Sequence, residues 1–134
     1  LRMEQHQKNA FAIAKWLQKQ PRVQYVLYPG LENHPGYAIN KAQTTGFGGM
    51  ISFAVDSAET ARQILEGVKL IKFAESLGGT ESLITYPIRQ THTDLTAEEC
   101  AEKGITDCLL RFSTGIEATQ DLIDDLAQAF AAVK

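Results

Sequence analysis

One arginine of this sequence stands where a side chain can bind a carboxylate. Strand periodicity over residues 109–113 places Leu110 and Phe112 on one face. Arg111 and Ser113 then share the opposite face. A guanidinium on a strand can hold both oxygens of a carboxylate through its planar N–H fork. The alternative is a solvated arginine whose stem packs on apolar surface, and local sequence alone favours that alternative.

The segment 75–82 is the second candidate for a binding role. Gly78 and Gly79 allow the backbone to turn sharply or to approach a ligand closely. Ser76 offers a hydrogen-bond donor and an acceptor beside that turn. An ordinary turn at the end of a strand explains the same residues.

The polar segment 86–92 is long for a loop, and long loops are often functional. His92 could act as a base, but no nucleophile pattern accompanies it. We therefore interpret His92 as a structural or surface histidine. Neither the other two histidines nor the two cysteines show metal-ligand spacing.

Periodicity and end signals predict the elements that position these residues. Five helices are predicted. The first runs from the start of the chain to about residue 19, and the second begins at Pro35. The third follows a Ser57 cap, the fourth runs from a Thr96 capping box to Gly104, and the fifth begins at Thr119. Strands are predicted at 23–28, 50–55, 71–77 and 109–114. Residues 80–93 are predicted to be irregular. The alternation of helices and strands is typical of a parallel sheet, but several strands alternate in polarity as antiparallel strands do.

Composition limits the class of protein. The 134 residues suit one soluble domain, with 44% apolar and 22% charged residues and a net charge of −3. Charges of both signs are interspersed, which argues against a nucleic-acid partner. No apolar run suggests a membrane span. Two cysteines without a CxxC pattern indicate reduced thiols, and we expect a cytoplasmic protein. The chain starts at Leu1 inside a helical pattern, which indicates a piece of a longer protein.

Several motifs in order carry a family resemblance over nearly the whole chain. The sequence resembles the Cys/Met-metabolism (transsulfuration) family of pyridoxal-phosphate (PLP) enzymes, which includes cystathionine γ-synthase, cystathionine β- and γ-lyases, methionine γ-lyase and the homoserine sulfhydrylases. The matching segments are YPGL (28–31), HP (34–35), GFGGM (46–50), AESLGGTESLI (74–84), TH (91–92), GITD (104–107) and LRFSTGIE (110–117).

The resemblance implies the fold and the domain organisation. Residues 1–134 would form a single domain, the small C-terminal domain of a fold-type I PLP enzyme. Its fold would be α+β, with a mostly antiparallel sheet of about four strands covered by helices on one side. This expectation replaces the parallel sheet. The large PLP-binding domain would lie outside this chain and would be its partner, in a homotetrameric enzyme.

The resemblance also implies roles for four residues. Arg111 would bind the α-carboxylate of a small amino-acid substrate, and Ser76 and Thr91 would line the same region. Glu75 occupies a position linked to substrate choice, where an acid is similar to enzymes that handle cystathionine. It would face the distal amino group of cystathionine.

The resemblance places the PLP-binding residues elsewhere. In the family, the lysine that forms the aldimine with PLP lies in a serine-rich context. None of the lysines of this chain has that context; they stand at positions 8, 15, 19, 41, 69, 72, 103 and 134. PLP chemistry requires that lysine and its electronic partners. We therefore expect no catalytic residue in this chain, and we expect the isolated chain to be inactive. The expected enzyme synthesises or cleaves cystathionine; alternatives are O-acyl-homoserine sulfhydrylase, methionine γ-lyase, and a stand-alone α+β binding module.

Overall fold

The computed structural model describes residues 1–134. Five helices, α1 to α5, span Arg2–Leu17, Tyr37–Gln43, Ala58–Gly67, Ala97–Glu102 and Thr119–Ala131. Five strands, β1 to β5, span Val23–Leu27, Met50–Val55, Lys72–Phe73, Leu83–Thr85 and Leu109–Ser113. A short 3-10 helix covers Pro87–Arg89. No helix combines the length and apolar character needed to cross a membrane.

The strands form one mixed sheet in the order β1-β2-β5-β4-β3. The pairs β1–β2, β2–β5 and β5–β4 are antiparallel, and β4–β3 is parallel. The α+β class and the mostly antiparallel sheet are therefore confirmed. The expected number of about four strands is one too low, because β4 lies in the stretch predicted to be irregular. A strand of three buried residues has no alternation of polarity that a pattern could detect.

Strand β3 is much shorter than the predicted strand 71–77. Its partner β4 offers only a three-residue edge, so the parallel ladder cannot extend. After β3 the chain leaves the sheet: the Ala74 carbonyl accepts a hydrogen bond from Thr85 Oγ1 at 3.0 Å, and residues 75–77 are exposed. The predicted strand thus becomes a loop over most of its length.

Helices α1, α3 and α5 pack on one face of the sheet. Their apolar stripes meet alternate residues of the central strands, and Phe53, Leu110 and Phe112 are fully buried there. The predicted orientation of β5 is confirmed, since Leu110 and Phe112 enter the core. Ser57 caps α3 as predicted, by accepting a hydrogen bond from the Thr60 N–H at 3.0 Å.

The other face of the sheet also carries a helix. Helix α4 and the 3-10 helix pack there around a small apolar cluster of Ile88, Leu95, Cys100, Ile105 and Leu109. The helices are therefore not confined to one side, as the resemblance had implied. The Thr96–Glu99 capping box forms as predicted, with bonds of 3.2 and 2.8 Å.

The short second helix begins at Tyr37, two residues after the predicted start at Pro35. His34 Nδ1 accepts a hydrogen bond from the Gly36 N–H at 3.0 Å. That contact closes a turn before the helix can start.

A buried carboxylate fixes α5 against the start of β3. Asp125 is 7% exposed. Its oxygens accept hydrogen bonds from the backbone N–H groups of Lys69, Leu70 and Ile71 at 2.9–3.1 Å. No neighbouring strand accepts hydrogen bonds from these three consecutive N–H groups, so the Asp125 carboxylate takes the place of the backbone carbonyls that a neighbouring strand would offer.

Replacing this carboxylate should destabilise the domain. Asp125→Ala leaves three backbone donors without their acceptor, and we expect the free energy of unfolding to fall by about 2–4 kcal/mol. Urea unfolding of the chain at neutral pH measures the change. Asp124→Ala on the exposed side of the same helix is the matched control, expected within about 0.5 kcal/mol of wild type. Equal losses in both variants would contradict the role of Asp125.

Candidate functional site

The face of the sheet opposite the main core carries a row of side chains across four strands. The strand register places Leu27 beside Ser52, Ser52 beside Arg111, and Arg111 beside Thr85. Arg111 therefore stands near the middle of this row, on the central strand β5. Its position follows from the alternation that sends Leu110 and Phe112 into the core.

An open cleft of about 630 Å³ lies over this row. Its lining contains two permanent cations, Lys103 and Arg111, and no aspartate or glutamate. The lining residues are Tyr25, Leu27, Ser52, Pro87, His92, Lys103, Gly104, Ile105, Leu109 and Arg111. The local charge therefore favours an anion in the cleft.

The guanidinium of Arg111 has no partner within the chain. Arg111 is half-buried, and its Nε atom is shielded from solvent without a hydrogen bond. The ion pairs of the chain involve only Arg22 and Arg62 as cations. A shielded donor without an acceptor is unfavourable, so this arginine is set to receive a hydrogen-bonding anion.

The loop that carries Glu75 and Ser76 is anchored beside Arg111. At its start, the Thr85 hydroxyl donates to the Ala74 carbonyl; at its end, the Gly78 N–H donates to Ser113 Oγ at 2.9 Å. Gly78 has a φ of 74°, which a side chain would disfavour. Glu75 and Ser76 are exposed and do not line the cleft.

The two longest sequence motifs bind one another in the structure. The Glu117 carboxylate accepts hydrogen bonds from the Ser82 N–H at 2.6 Å and from the Ser82 hydroxyl at 2.9 Å. Ser82 Oγ in turn accepts from the Gly115 N–H at 2.8 Å. A Cβ on Gly115 would collide with the Thr80 carbonyl oxygen, so only glycine allows this approach. We call the contacts between residues 80–82 and 115–117 the motif clamp.

The structure brings His92 into the cleft together with Arg111. The His92 N–H donates to the Pro87 carbonyl at 3.0 Å, which folds the chain back over the 3-10 helix. Thr91 does not line the cleft, but its Oγ1 lies 2.7 Å from His92 Nδ1. The sequence favoured a structural or surface role for His92, whereas its ring forms part of the cleft wall.

Further cleft residues were missed by sequence reasoning. Ser52 follows from the alternation of β2, because Ile51 and Phe53 point into the core. Lys103 and Tyr25 carried no signal that sets them apart from other surface residues. The wall is held by Tyr86, whose hydroxyl donates to the Asp107 carbonyl at 2.6 Å. Burial raises the pKa of Tyr86, so this hydroxyl keeps its proton at neutral pH.

The fold and the cleft together define a class: an α+β domain with a cleft that contains two cations, on the face of its sheet opposite the main core. Residues 1–131 match the family described as Cys/Met metabolism PLP-dependent enzyme. The chain belongs to this family.

Curated relatives include enzymes with different activities. The chain is 52% identical to the cystathionine gamma-lyase of Dictyostelium discoideum over 130 residues, which are 96% of this chain and 34% of that protein. It is 50% identical to the cystathionine gamma-synthase of Haemophilus influenzae over 134 residues, which are 100% of this chain and 32% of that protein. It is 47% identical to an L-methionine gamma-lyase of Fusobacterium nucleatum over 134 residues, 99% of this chain and 34% of that protein.

Solved structures share the fold. The cystathionine gamma synthase of Xanthomonas oryzae in complex with aminoacrylate and cysteine matches with a TM-score of 0.93 and 45% identity, over 97% of this chain and 34% of that one. The cystathionine gamma-lyase of Lactobacillus plantarum complexed with L-serine matches with a TM-score of 0.94 and 39% identity, over 98% of this chain and 35% of that one. The chain thus spans about a third of the length of these relatives.

The lysines of this chain all lie at the surface. All eight are exposed, including Lys103 at the mouth of the cleft, so water would reach an imine formed on any of them.

This exposure predicts how the chain reacts with PLP. When PLP is titrated into the purified chain and the mixture is reduced with borohydride, we expect slow, substoichiometric labelling spread over several lysines. Peptide mapping by mass spectrometry measures the distribution. One stoichiometrically labelled lysine would show that the chain has a PLP site of its own.

Proposed function

We propose that this chain is the substrate-carboxylate-binding domain of a PLP-dependent transsulfuration enzyme that makes or cleaves cystathionine, by γ-replacement or by β- or γ-elimination. The observation that carries this proposal is the unpaired Arg111 guanidinium in a cleft without carboxylates. Membership of the family and the names of the cystathionine enzymes among the relatives support it.

The proposed task of the domain is to hold the substrate in one orientation. Arg111 binds the α-carboxylate through two N–H groups, which fixes both the distance and the plane of that group. Cysteine and L-serine, named with two of the solved relatives, both carry such a carboxylate. The loop of Glu75 and Ser76, whose ends are bonded to β4 and β5, is proposed to contact the substrate from beside the cleft.

The rest of the proposed enzyme lies outside this chain. Because the relatives are about three times as long, we place PLP in a large domain of the same protein. When bound there, PLP supplies the electron sink for the reaction. The proposed assembly is a homotetramer, and the proposed location is the cytoplasm. This chain alone is proposed to be inactive.

Glu75 is the proposed determinant of substrate choice. It is exposed at the start of a loop whose ends are held next to the Arg111 row. A carboxylate there can bind the distal amino group of cystathionine in a charge-assisted hydrogen bond. Smaller thioethers such as methionine lack that amino group.

Methionine γ-lyase activity is a second candidate. The L-methionine gamma-lyase of Fusobacterium nucleatum matches the whole domain almost as well as the cystathionine enzymes do. Both activities need the same α-carboxylate site. Assays of the complete protein with cystathionine, methionine and activated homoserine esters with sulfide separate them.

Substitution of Arg111 should impair the complete enzyme without unfolding it. Arg111→Lys keeps the charge but loses the planar two-point contact. We expect kcat/KM to fall by about 10- to 100-fold, and Arg111→Ala to fall further. Steady-state kinetics and the PLP content of each variant measure the effect.

Inhibitor binding makes this test specific. Both Arg111 variants should lose affinity for inhibitors with an α-carboxylate and keep it for decarboxylated amine analogues. Arg89→Lys on the exposed side of the 3-10 helix is the matched control, expected to behave as wild type. If Arg111→Ala bound both kinds of inhibitor like wild type, the proposed function would fail.

Substitution of Glu75 should change the choice of substrate. Glu75→Val removes the proposed bond to the distal amino group, and the loss of one bond to a charged group corresponds to about a 10- to 150-fold change. We expect kcat/KM to fall by this factor for cystathionine and to change little for methionine. Glu98→Val, on the exposed face of α4, controls for the loss of a surface charge. Equal losses for both substrates would show that Glu75 does not select.

A further inference from the structure

His92 is one of three titratable side chains of the cleft wall, with Tyr25 and Lys103, that the proposed function leaves without a task. It is half-buried and lines the cleft together with Arg111. One of its two ring nitrogens, Nδ1, already has a partner in Thr91 Oγ1. The other, Nε2, has no hydrogen-bond partner within the chain and is free to bind a ligand.

The contact with Thr91 bears on which ring nitrogen of His92 carries the proton when the ring is neutral. The distance between Thr91 Oγ1 and His92 Nδ1 is 2.7 Å. Hydroxyl donors make bonds of about this length, whereas ring N–H donors make bonds nearer 2.9–3.0 Å. A Thr91 hydroxyl that donates to an accepting Nδ1 fits this distance, and the proposal below adopts that direction. A neutral imidazole with an accepting Nδ1 carries its proton on Nε2.

The surroundings of the ring favour an anion as the acceptor of that proton. Lys103 and Arg111 bring positive charge to the same cleft, and no aspartate or glutamate lines it. A donor on the cleft wall therefore finds no acidic acceptor among its lining residues. The bound ligand has to supply one, and a carboxylate has oxygen lone pairs left after an arginine occupies two of them.

We propose that His92 is a second substrate-binding residue, whose Nε2–H donates to the α-carboxylate that Arg111 holds, and that Thr91 acts through His92 by fixing its tautomer. This proposal rests on the carboxylate site proposed above. It changes the role implied for Thr91 from a direct contact with the substrate to a positioning one. A third donor outside the guanidinium fork removes the remaining freedom of the carboxylate to slide along Arg111.

Two amide substitutions in the complete enzyme test which ring nitrogen matters. A glutamine amide nitrogen can occupy the place of Nε2, while an asparagine side chain reaches only the place of Nδ1. We expect His92→Gln to stay within about threefold of wild type in kcat/KM. We expect His92→Asn to lose about 10- to 100-fold, the range for one bond to a charged group, mainly through a higher KM.

The threonine variants test the relay. Thr91→Val cannot donate to Nδ1 and should release the tautomer, with a loss of about 3- to 10-fold. Thr91→Ser keeps the hydroxyl and should stay near wild type. His34→Asn is the matched control: His34 is a half-buried histidine outside the cleft, also with an accepting Nδ1.

Inhibitor binding separates this proposal from the proposed function. His92→Asn should weaken inhibitors with an α-carboxylate and leave decarboxylated amines unaffected. If His92→Asn and His92→Gln are equally impaired, or if both match wild type while Arg111→Ala is impaired, the proposal for His92 is wrong and the carboxylate site stands. If the Arg111 variants are also unimpaired, the carboxylate site itself is wrong.

Discussion

The alternation of side chains along β5 is the constraint on which the rest of the structure depends. This strand lies in the middle of the sheet, between β2 and β4. Its even residues, Leu110 and Phe112, are fully buried under α1, α3 and α5, and their burial fixes the register. Arg111 must then emerge on the other face. The position of the charge thus follows from the packing of its two apolar neighbours, and a slip of one residue would bury it.

Polar contacts around β5 also fix the positions of neighbouring loops relative to this strand. Ser113 receives the Gly78 N–H, and the motif clamp joins residues 80–82 to residues 115–117. The loop with Glu75 and Ser76 is thereby bonded at its Gly78 end to the strand that carries Arg111, while its Ala74 end is bonded to Thr85 of the neighbouring strand β4. The conformation of this loop is set less by its own residues than by acceptors and donors more than thirty positions away in sequence.

Local patterns of the sequence were enough for the elements with clear periodicity. The faces of β5, the Ser57 cap and the Thr96 capping box depend on residues within a few positions of one another, and all three predictions are confirmed. Strand β4 was missed because its three buried residues show no alternation. Strand β3 was predicted too long because its length is limited by that partner rather than by its own residues.

The candidate site likewise has features that local sequence predicts and features that depend on distant parts of the chain. The outward direction of Arg111 could be predicted, but its lack of an ion partner could not, since that depends on where every acid of the chain lies. His92 could not be placed in the cleft from its neighbours in sequence. Its position depends on the turn over Pro87 and on the small cluster under α4. Whether Glu75, Ser76, Thr91 and Arg111 contact substrate remains a prediction.

The segment 74–82, beside the row of Arg111, and the segment 87–95, at the cleft, differ in how firmly they are bonded to the rest of the domain. The segment 74–82 is bonded at several successive points to β4, β5 and the chain after β5, so an added or deleted residue would shift Gly78 or Ser82 from its partner. The segment 87–95 packs on the sheet through Ile88 and Leu95, which contact the apolar cluster that contains Leu109 of β5. It can therefore change in length while Arg111 stays in place, because surface loops tolerate insertions at small entropic expense. The size of the cleft can then change through one wall, while the proposed carboxylate anchor Arg111 keeps its position on β5.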